Sequence, residues 1–83
     1  MTESTINLQA LITQIAKALV DDAEQVVVSE VAEGGETVLE LEVAPADMGK
    51  VIGRQGRTVR AMRNLVSAAG MKAHRRYALE VLE

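Results

Sequence analysis

The four residues Gly53-Arg54-Gln55-Gly56 have the types and spacing expected of a loop that binds an anion. Glycine adopts positive φ without a steric clash and has no side chain to keep another molecule from the backbone. A helix that begins directly after such a loop presents free N–H groups and the positive end of its dipole. The segment therefore predicts a phosphate-binding loop. Two glycines in isolation, however, are also typical of a helix cap followed by a turn.

Acidic and basic residues are separated along this chain of 83 residues and net charge −3. Residues 1–47 contain ten of the twelve acidic residues and one base, Lys17, whereas residues 48–79 contain eight bases and no acid. A run of charge is usually a solvated helix face. Because this run contains the glycine loop, it also fits a local anion-binding surface on an otherwise acidic protein. We expect the acidic remainder to disfavour indiscriminate binding of polyanions.

The first half of the chain carries the pattern of a helix followed by a hairpin. Residues 6–20 have apolar side chains at helical spacing, and Ser4 or Thr5 would cap the start of this helix. Residues 25–33 are rich in β-branched residues, and residues 36–43 alternate between apolar and polar. The glycine pair between them allows a tight reversal, so the two segments predict a β-hairpin.

The second half predicts two helices and a strand. A short helix over residues 46–52 follows a proline and ends at Gly53, and a second helix runs from Arg57 to Ala69 and stops at Gly70. Residues 75–82 alternate as a last strand. The order helix, strand, strand, helix, helix, strand predicts an α+β fold of two layers, in which helices cover one face of a three-stranded sheet.

The segment VIGRQGRTVRAM, residues 51–62, resembles the signature V-I-G-x-x-G-x-x-[IV]-x-x-[IM] of the KH domain. In KH domains the GxxG loop clamps about four nucleotides of an RNA backbone. The predicted element order is similar to that of the type II KH fold. The segment DMGKVIGRQGRTVRAMRNLV is similar to the central part of the small bacterial KhpA family. The resemblance implies a single KH domain over residues 1–83.

The resemblance also implies which residues bind single-stranded RNA. The loop residues that would hold the sugar-phosphate backbone are Gly53, Arg54, Gln55 and Gly56. At least one residue of the apolar pair Val51 and Ile52 would line the groove in which bases lie. The flanking bases assigned to phosphates are Lys50, Arg57 and Arg60. Three cations near the far end of the groove are either RNA contacts or solvated charges, and the sequence favours neither: Lys72, Arg75 and Arg76.

An apolar strip of the second long helix is a candidate dimer interface. Ala61, Leu65 and Ala68 lie beside the predicted buried stripe of this helix but not on it. A broad core face would cover them; alternatively, Leu65 contacts a second subunit. The small core and the slightly positive mean hydropathy favour an interface. The resemblance implies a homodimer, and pairing with a second, Jag-type KH protein.

Catalysis and metal binding have little support in the sequence. There is no cysteine, and the one histidine, His74, has no serine or carboxylate placed near it to form a catalytic pair. We therefore expect no catalytic residue, metal, cofactor or small-molecule substrate. No apolar run approaches the roughly 20 residues of a membrane span, and polar residues interrupt the N-terminal apolar pattern. We expect a cytoplasmic protein that does not enter a membrane.

These patterns lead to one main hypothesis and two alternatives. The main hypothesis is a non-catalytic protein that binds single-stranded RNA as a dimer and regulates transcripts after their synthesis. In the first alternative, the domain is an interaction and dimerisation module for another KH protein, with RNA binding secondary. The second is binding of single-stranded DNA, because a GxxG clamp does not require the 2′-OH group.

Overall fold

The computed structural model describes residues 7–83, which form three α-helices and a three-stranded sheet. The elements are, in order, α1 (Leu8–Leu19), β1 (Val27–Glu33), β2 (Glu36–Glu42), α2 (Met48–Ile52), α3 (Arg57–Lys72) and β3 (Arg76–Val81). Single turns of 3-10 helix lie at Ala23–Gln25, Pro45–Asp47 and Arg54–Gly56. The predicted α+β class and element order are confirmed. Within the described range, none of the helices has the length and apolarity needed to span a membrane.

Asn7 caps helix α1. Its side-chain Oδ1 accepts a hydrogen bond from the Ala10 backbone amide at 3.1 Å, which satisfies a donor that the first helical turn leaves free. The N-cap of α1 is therefore Asn7 and not Ser4 or Thr5 as the sequence predicted, and these two residues lie outside the described range. Residues at helical spacing place one apolar face of α1 in the core: Leu8, Ile12 and Ala16.

The sheet has the strand order β1-β2-β3, with β1 antiparallel and β3 parallel to the central strand. A two-residue turn joins β1 to β2, and both of its residues have positive φ, 53° at Gly34 and 84° at Gly35. Such turns match the twist of a hairpin and favour glycine. Strands β2 and β3 are parallel because helices α2 and α3 form the crossover between them. This crossover also contains the glycine loop.

The core lies between the helices and one face of the sheet. The central strand provides Leu39 and Leu41, both fully buried, and Leu79 of β3 pairs in register with Leu39. Alternate residues of β2 point away from the helices, among them Glu40 and Glu42. The predicted alternation of this strand and the one-sided packing of helices are therefore confirmed.

Helix α3 continues past Gly70 to Lys72, so the prediction that Gly70 ends this helix is wrong. Gly70 is buried, and a Cβ atom there would lie 2.8 Å from the Arg75 carbonyl oxygen and 3.0 Å from Cδ2 of Tyr77. The Arg75 amide also donates to the Gly70 carbonyl at 2.8 Å. Glycine is present because β3 returns close against the helix, and not because the helix stops.

Two glycine-to-alanine substitutions should change stability in opposite directions. Gly70→Ala would force a Cβ atom against a backbone carbonyl and lower the free energy of unfolding by about 1–3 kcal/mol. The Cβ atom of Gly49→Ala in α2 would have no atom within 4 Å, so this substitution should raise the free energy of unfolding by about 0.5–1 kcal/mol. Urea denaturation measures both values. Stabilisation by Gly70→Ala would contradict the packing described for α3 and β3.

Candidate nucleic-acid interface

The chain reverses direction between α2 and α3 through a loop of unusual backbone conformation. Gly53 has φ 80° and Gly56 has φ 74°, and the non-glycine residue Gln55 between them has φ 57°. Positive φ is accessible to glycine at no steric cost but is uncommon for other residues. Three of the four loop residues thus adopt backbone angles that ordinary helix or strand does not provide. This turn places the start of α3 directly after the end of α2.

The two glycines of the loop differ in what surrounds them. At Gly53 a Cβ atom would overlap the side chain of Thr58 and lie 2.9 Å from the Thr58 amide nitrogen. At Gly56 the nearest atom to a Cβ would be a guanidinium nitrogen of Arg60, 3.9 Å away. The expectation that both glycines clear space for an approaching molecule therefore holds only at Gly56. Gly53 is required instead because the protein's own Thr58 occupies that space.

Half of the amides of the loop are free of protein acceptors. The Gly53 amide donates to the Gly49 carbonyl at 2.9 Å, and the Gly56 amide donates to the Gly53 carbonyl at 3.0 Å. Within residues 7–83, the amides of Arg54 and Gln55 have no protein acceptor. Both residues are exposed. An anion at this loop would therefore meet two free amides, those of Arg54 and Gln55, and not the amides of the two glycines.

The start of helix α3 adds positive potential at the loop. Gly56 occupies the N-cap position without a side-chain hydrogen bond, and the first turn contains no acidic residue. The partial positive charge of the helix N-terminus is therefore not compensated by a carboxylate of its own first turn. Any anion held at the free amides of the loop would also be stabilised by this helix end.

The structure brings two arginines of α3 to the loop. Nη2 of Arg57 donates to Oε1 of Gln55 at 3.4 Å, and Nη2 of Arg60 donates to the Gln55 carbonyl at 3.3 Å. Arg54 lies within the loop and is exposed. Arg63 is separate from this group, because its Nε donates to the Leu79 carbonyl at 3.3 Å and thereby links α3 to strand β3.

The apolar pair before the loop is divided between core and surface. Val51 is fully buried and belongs to the hydrophobic core, whereas Ile52 is only half-buried. A buried side chain cannot contact a ligand without unfolding the helix. Of the two residues, only Ile52 is accessible enough to line a base-binding groove, and this role stays a prediction.

Lys50 is already paired with protein carboxylates. Its Nζ lies 3.4 Å from Oδ2 of Asp21 and 3.4 Å from Oδ1 of Asp47. The hydrogen bond to Asp47, together with the charge of Asp21, raises the pKa of Lys50. Its positive charge is therefore partly neutralised at the site where the sequence assigned it to a phosphate.

Asp47 is the residue near the loop whose role is least apparent from the sequence. The structure buries it to 3 % exposure, and its Oδ2 accepts from the Asp22 amide at 3.1 Å. This hydrogen bond is the main cause that lowers the pKa of Asp47. The spacing of three between Asp47 and Lys50 was the only signal in the sequence for the ion pair.

Comparison with known proteins connects this geometry to a family. The family model described as KhpA/KhpB, KH domain, matches residues 9–81. The chain belongs to this KH-domain family. The GxxG signature of KH domains corresponds here to the turn between α2 and α3. The resemblance read from residues 51–62 is confirmed.

Curated relatives of this KH domain match it over most of its length. The protein of Clostridium acetobutylicum is 47 % identical over 75 residues, which cover 90 % of this chain and 100 % of the relative. The protein of Caldanaerobacter subterraneus is 49 % identical over 72 residues, which cover 87 % of this chain and 96 % of the relative. The protein of Aquifex aeolicus is 45 % identical over 76 residues, which cover 92 % of this chain and 96 % of the relative. Each is named RNA-binding protein KhpA. No solved structure gives a significant match.

Three other cations of the KH domain lie far from the GxxG loop. Helix α3 has 16 residues and is about 24 Å long, with the loop at its start and Lys72 at its end. Arg75 and Arg76 line an open cavity of about 710 Å³ against the hairpin turn. Glu33 and Glu36 line the same cavity. The three cations do not join the arginine cluster at the loop, and a role for them in RNA binding stays a prediction.

The predicted dimer strip of the KH domain is exposed in the single chain. Leu65 is 41 % exposed, and Ala61 and Ala68 are also exposed. The core stripe of α3 is buried on a different side of the helix, at Val59, Met62 and Val66. A broad core face therefore does not cover the strip. His74, at φ 59°, is an exposed residue of the turn after α3.

Proposed function

We propose that this KH domain binds single-stranded RNA without catalysing a reaction, and that the GxxG loop holds the phosphates of the RNA. The observation that carries the proposal is the pair of acceptor-free amides at Arg54 and Gln55 beside an uncapped helix start. The names of the relatives and the membership of the KH family support RNA as the ligand. Arg54, Arg57 and Arg60 provide the positive charge that phosphates require.

The charge distribution would confine RNA to one side of the domain. The outer face of the sheet, which points away from the helices, carries acidic residues on all three strands: Glu33, Glu36, Glu40, Glu42 and Glu80. Glu40 and Glu80 are direct neighbours across the parallel pair. Arg76 also lies on this face, beside Glu36, but the acidic residues outnumber it, so the face repels a polyanion whereas the arginines at the loop attract it. The strand would therefore dock from the loop side only.

The bases of the RNA would lie on aliphatic side chains. Tyr77 is the only aromatic residue, and it packs half-buried against the core. Aromatic stacking, which carries much of the base affinity in other single-strand binders, is thus not available. We expect one copy of the domain to bind RNA weakly and with loose sequence preference. Because the loop does not need a 2′-OH group, matched RNA and DNA oligomers would measure how far RNA is preferred.

The double substitution Arg54→Asp and Gln55→Asp should abolish RNA binding without unfolding the domain. Both residues are exposed, so the change adds negative charge at the proposed phosphate site and removes little packing. Affinity should fall by more than about tenfold, since a hydrogen bond to a charged group contributes roughly 1.5–3 kcal/mol. Fluorescence anisotropy with a labelled RNA and circular dichroism measure binding and fold.

The control for this variant is Gln14→Asp with Lys17→Asp on α1. It makes the same change of net charge at two exposed positions away from the loop, with a lysine replaced in place of an arginine. The control should keep most of the RNA affinity of the wild type. If the loop variant stayed folded and bound RNA as well as the control, the assigned site would be wrong.

We propose further that the domain self-associates through Ala61, Leu65 and Ala68, or pairs through them with a Jag-type KH protein. An exposed leucine between two small residues on a helix gives a close and apolar contact surface. Two copies would place two GxxG loops on one particle, which raises the effective affinity for a single RNA. In cells such a dimer would act on transcripts after their synthesis.

Leu65→Asp should dissociate a homodimer. Burial of a leucine contributes about 1.5–3 kcal/mol, and a symmetric interface contains it twice. Met71→Asp is the matched control, because Met71 is 73 % exposed on the same helix but lies about 120° around it from Leu65. Analytical ultracentrifugation measures the association. A wild-type monomer, or equal dissociation by the two variants, would refute this interface.

A further inference from the structure

Helix α2 is too short to hold the GxxG loop by itself. It has five residues, and isolated helices below about 12–15 residues are marginal in water. Its position must therefore come from contacts with the rest of the protein. Val51 anchors its last turn in the core, and Met48 packs against the core at its start. A buried polar contact lies immediately before the helix, at Asp47.

Asp47 connects α2 to a distant part of the chain. Its carboxylate accepts from the Asp22 amide, 25 residues earlier in the sequence, in the segment between α1 and β1. The other oxygen pairs with Lys50, one turn further along α2. The carboxylate is buried, and a buried charge is tolerated only where it is paired and hydrogen-bonded. Both partners are therefore needed to hold this carboxylate in place.

We propose that Asp47 is the positioning residue of the RNA-binding loop, and that Lys50 serves this anchor and does not bind a phosphate. The inference rests on the proposed function, because it concerns how the same loop is held in shape. Asp47 fixes the start of α2, Val51 holds its body in the core, and the contact of Gly53 with Thr58 fixes the turn that follows it. Loss of the first contact would let the loop sample conformations that cannot bind.

Asp21 offers a matched comparison for Asp47. Each residue places a carboxylate oxygen 3.4 Å from the Lys50 ammonium, but the Asp21 side chain is 85 % exposed and that of Asp47 is 4 % exposed. Replacement of either by asparagine removes one negative charge near the loop. By electrostatics alone both variants should bind RNA more tightly. Weaker binding by only one of them therefore identifies positioning and not charge.

The first experiment compares Asp47→Asn with Asp21→Asn at one temperature at which both are folded. Asp47→Asn should bind a labelled single-stranded RNA about 2- to 30-fold more weakly than the wild type. Its Gly53 and Gly56 amides should exchange hydrogen faster, whereas those of β2 should not. Asp21→Asn should bind as well as the wild type or slightly better. Equal affinity of the two variants, or tighter binding by Asp47→Asn, would overturn the inference.

The second experiment tests Lys50 and does not depend on the folding of Asp47→Asn. A cation that neutralises a phosphate of a single strand contributes about 0.7 to the slope of log affinity against log salt. Lys50→Met should therefore lower the melting temperature and leave this slope as in the wild type. Lys17→Met, on the exposed face of α1, is the control for loss of an ammonium group. A slope smaller by about 0.7 in Lys50→Met would show a phosphate contact and overturn the inference.

The Arg54→Asp and Gln55→Asp variant separates this inference from the proposed function. If that variant loses RNA and Asp47→Asn does not, the loop binds RNA and only the role of Asp47 is wrong. If neither variant loses RNA, the site itself is wrong.

Discussion

The contact between Gly53 and Thr58 fixes the turn on which the proposed interface depends. No side chain fits between the Gly53 Cα atom and Thr58, so α2 can end and α3 can begin within four residues. The turn satisfies the amides of the two glycines and leaves those of Arg54 and Gln55 without protein acceptors. A ligand held by backbone amides of this loop would therefore meet those of Arg54 and Gln55 and not those of the glycines. The loop presents a backbone surface of defined conformation, and the side chains of Arg54, Arg57 and Arg60 add positive charge beside it.

Much of the fold could be predicted because single patterns determine it. The alternation in β2 places Leu39 and Leu41 on the buried face, and Gly34-Gly35 allows the tight turn between β1 and β2. A glycine within a helical pattern has two meanings, a stop or a close approach, and Gly70 has the second because Tyr77 packs on it. Which meaning applies depends on β3, which no local pattern places against the helix.

The sequence predicts where the candidate site lies, but not which contacts each of its residues makes. The motif identified the loop, and the charge separation identified its basic surroundings. The burial of Asp47 and its hydrogen bond to the Asp22 amide link residues 25 apart, so neighbouring residues give no sign of them. The same contact explains why Lys50 differs from the arginines: Lys50 pairs with two carboxylates, whereas Arg57 and Arg60 are exposed and donate hydrogen bonds to Gln55 of the loop.

The most direct test of the central claim is a titration of the ¹⁵N-labelled domain with a short single-stranded RNA, followed by NMR of the backbone amides. The account predicts that the amides of Arg54 and Gln55 shift most, because they are the donors that gain a phosphate acceptor. Residues on the acidic outer face of the sheet, such as Val38 and Glu40, should not shift. Unchanged Arg54 and Gln55 amides at saturating RNA would contradict the account.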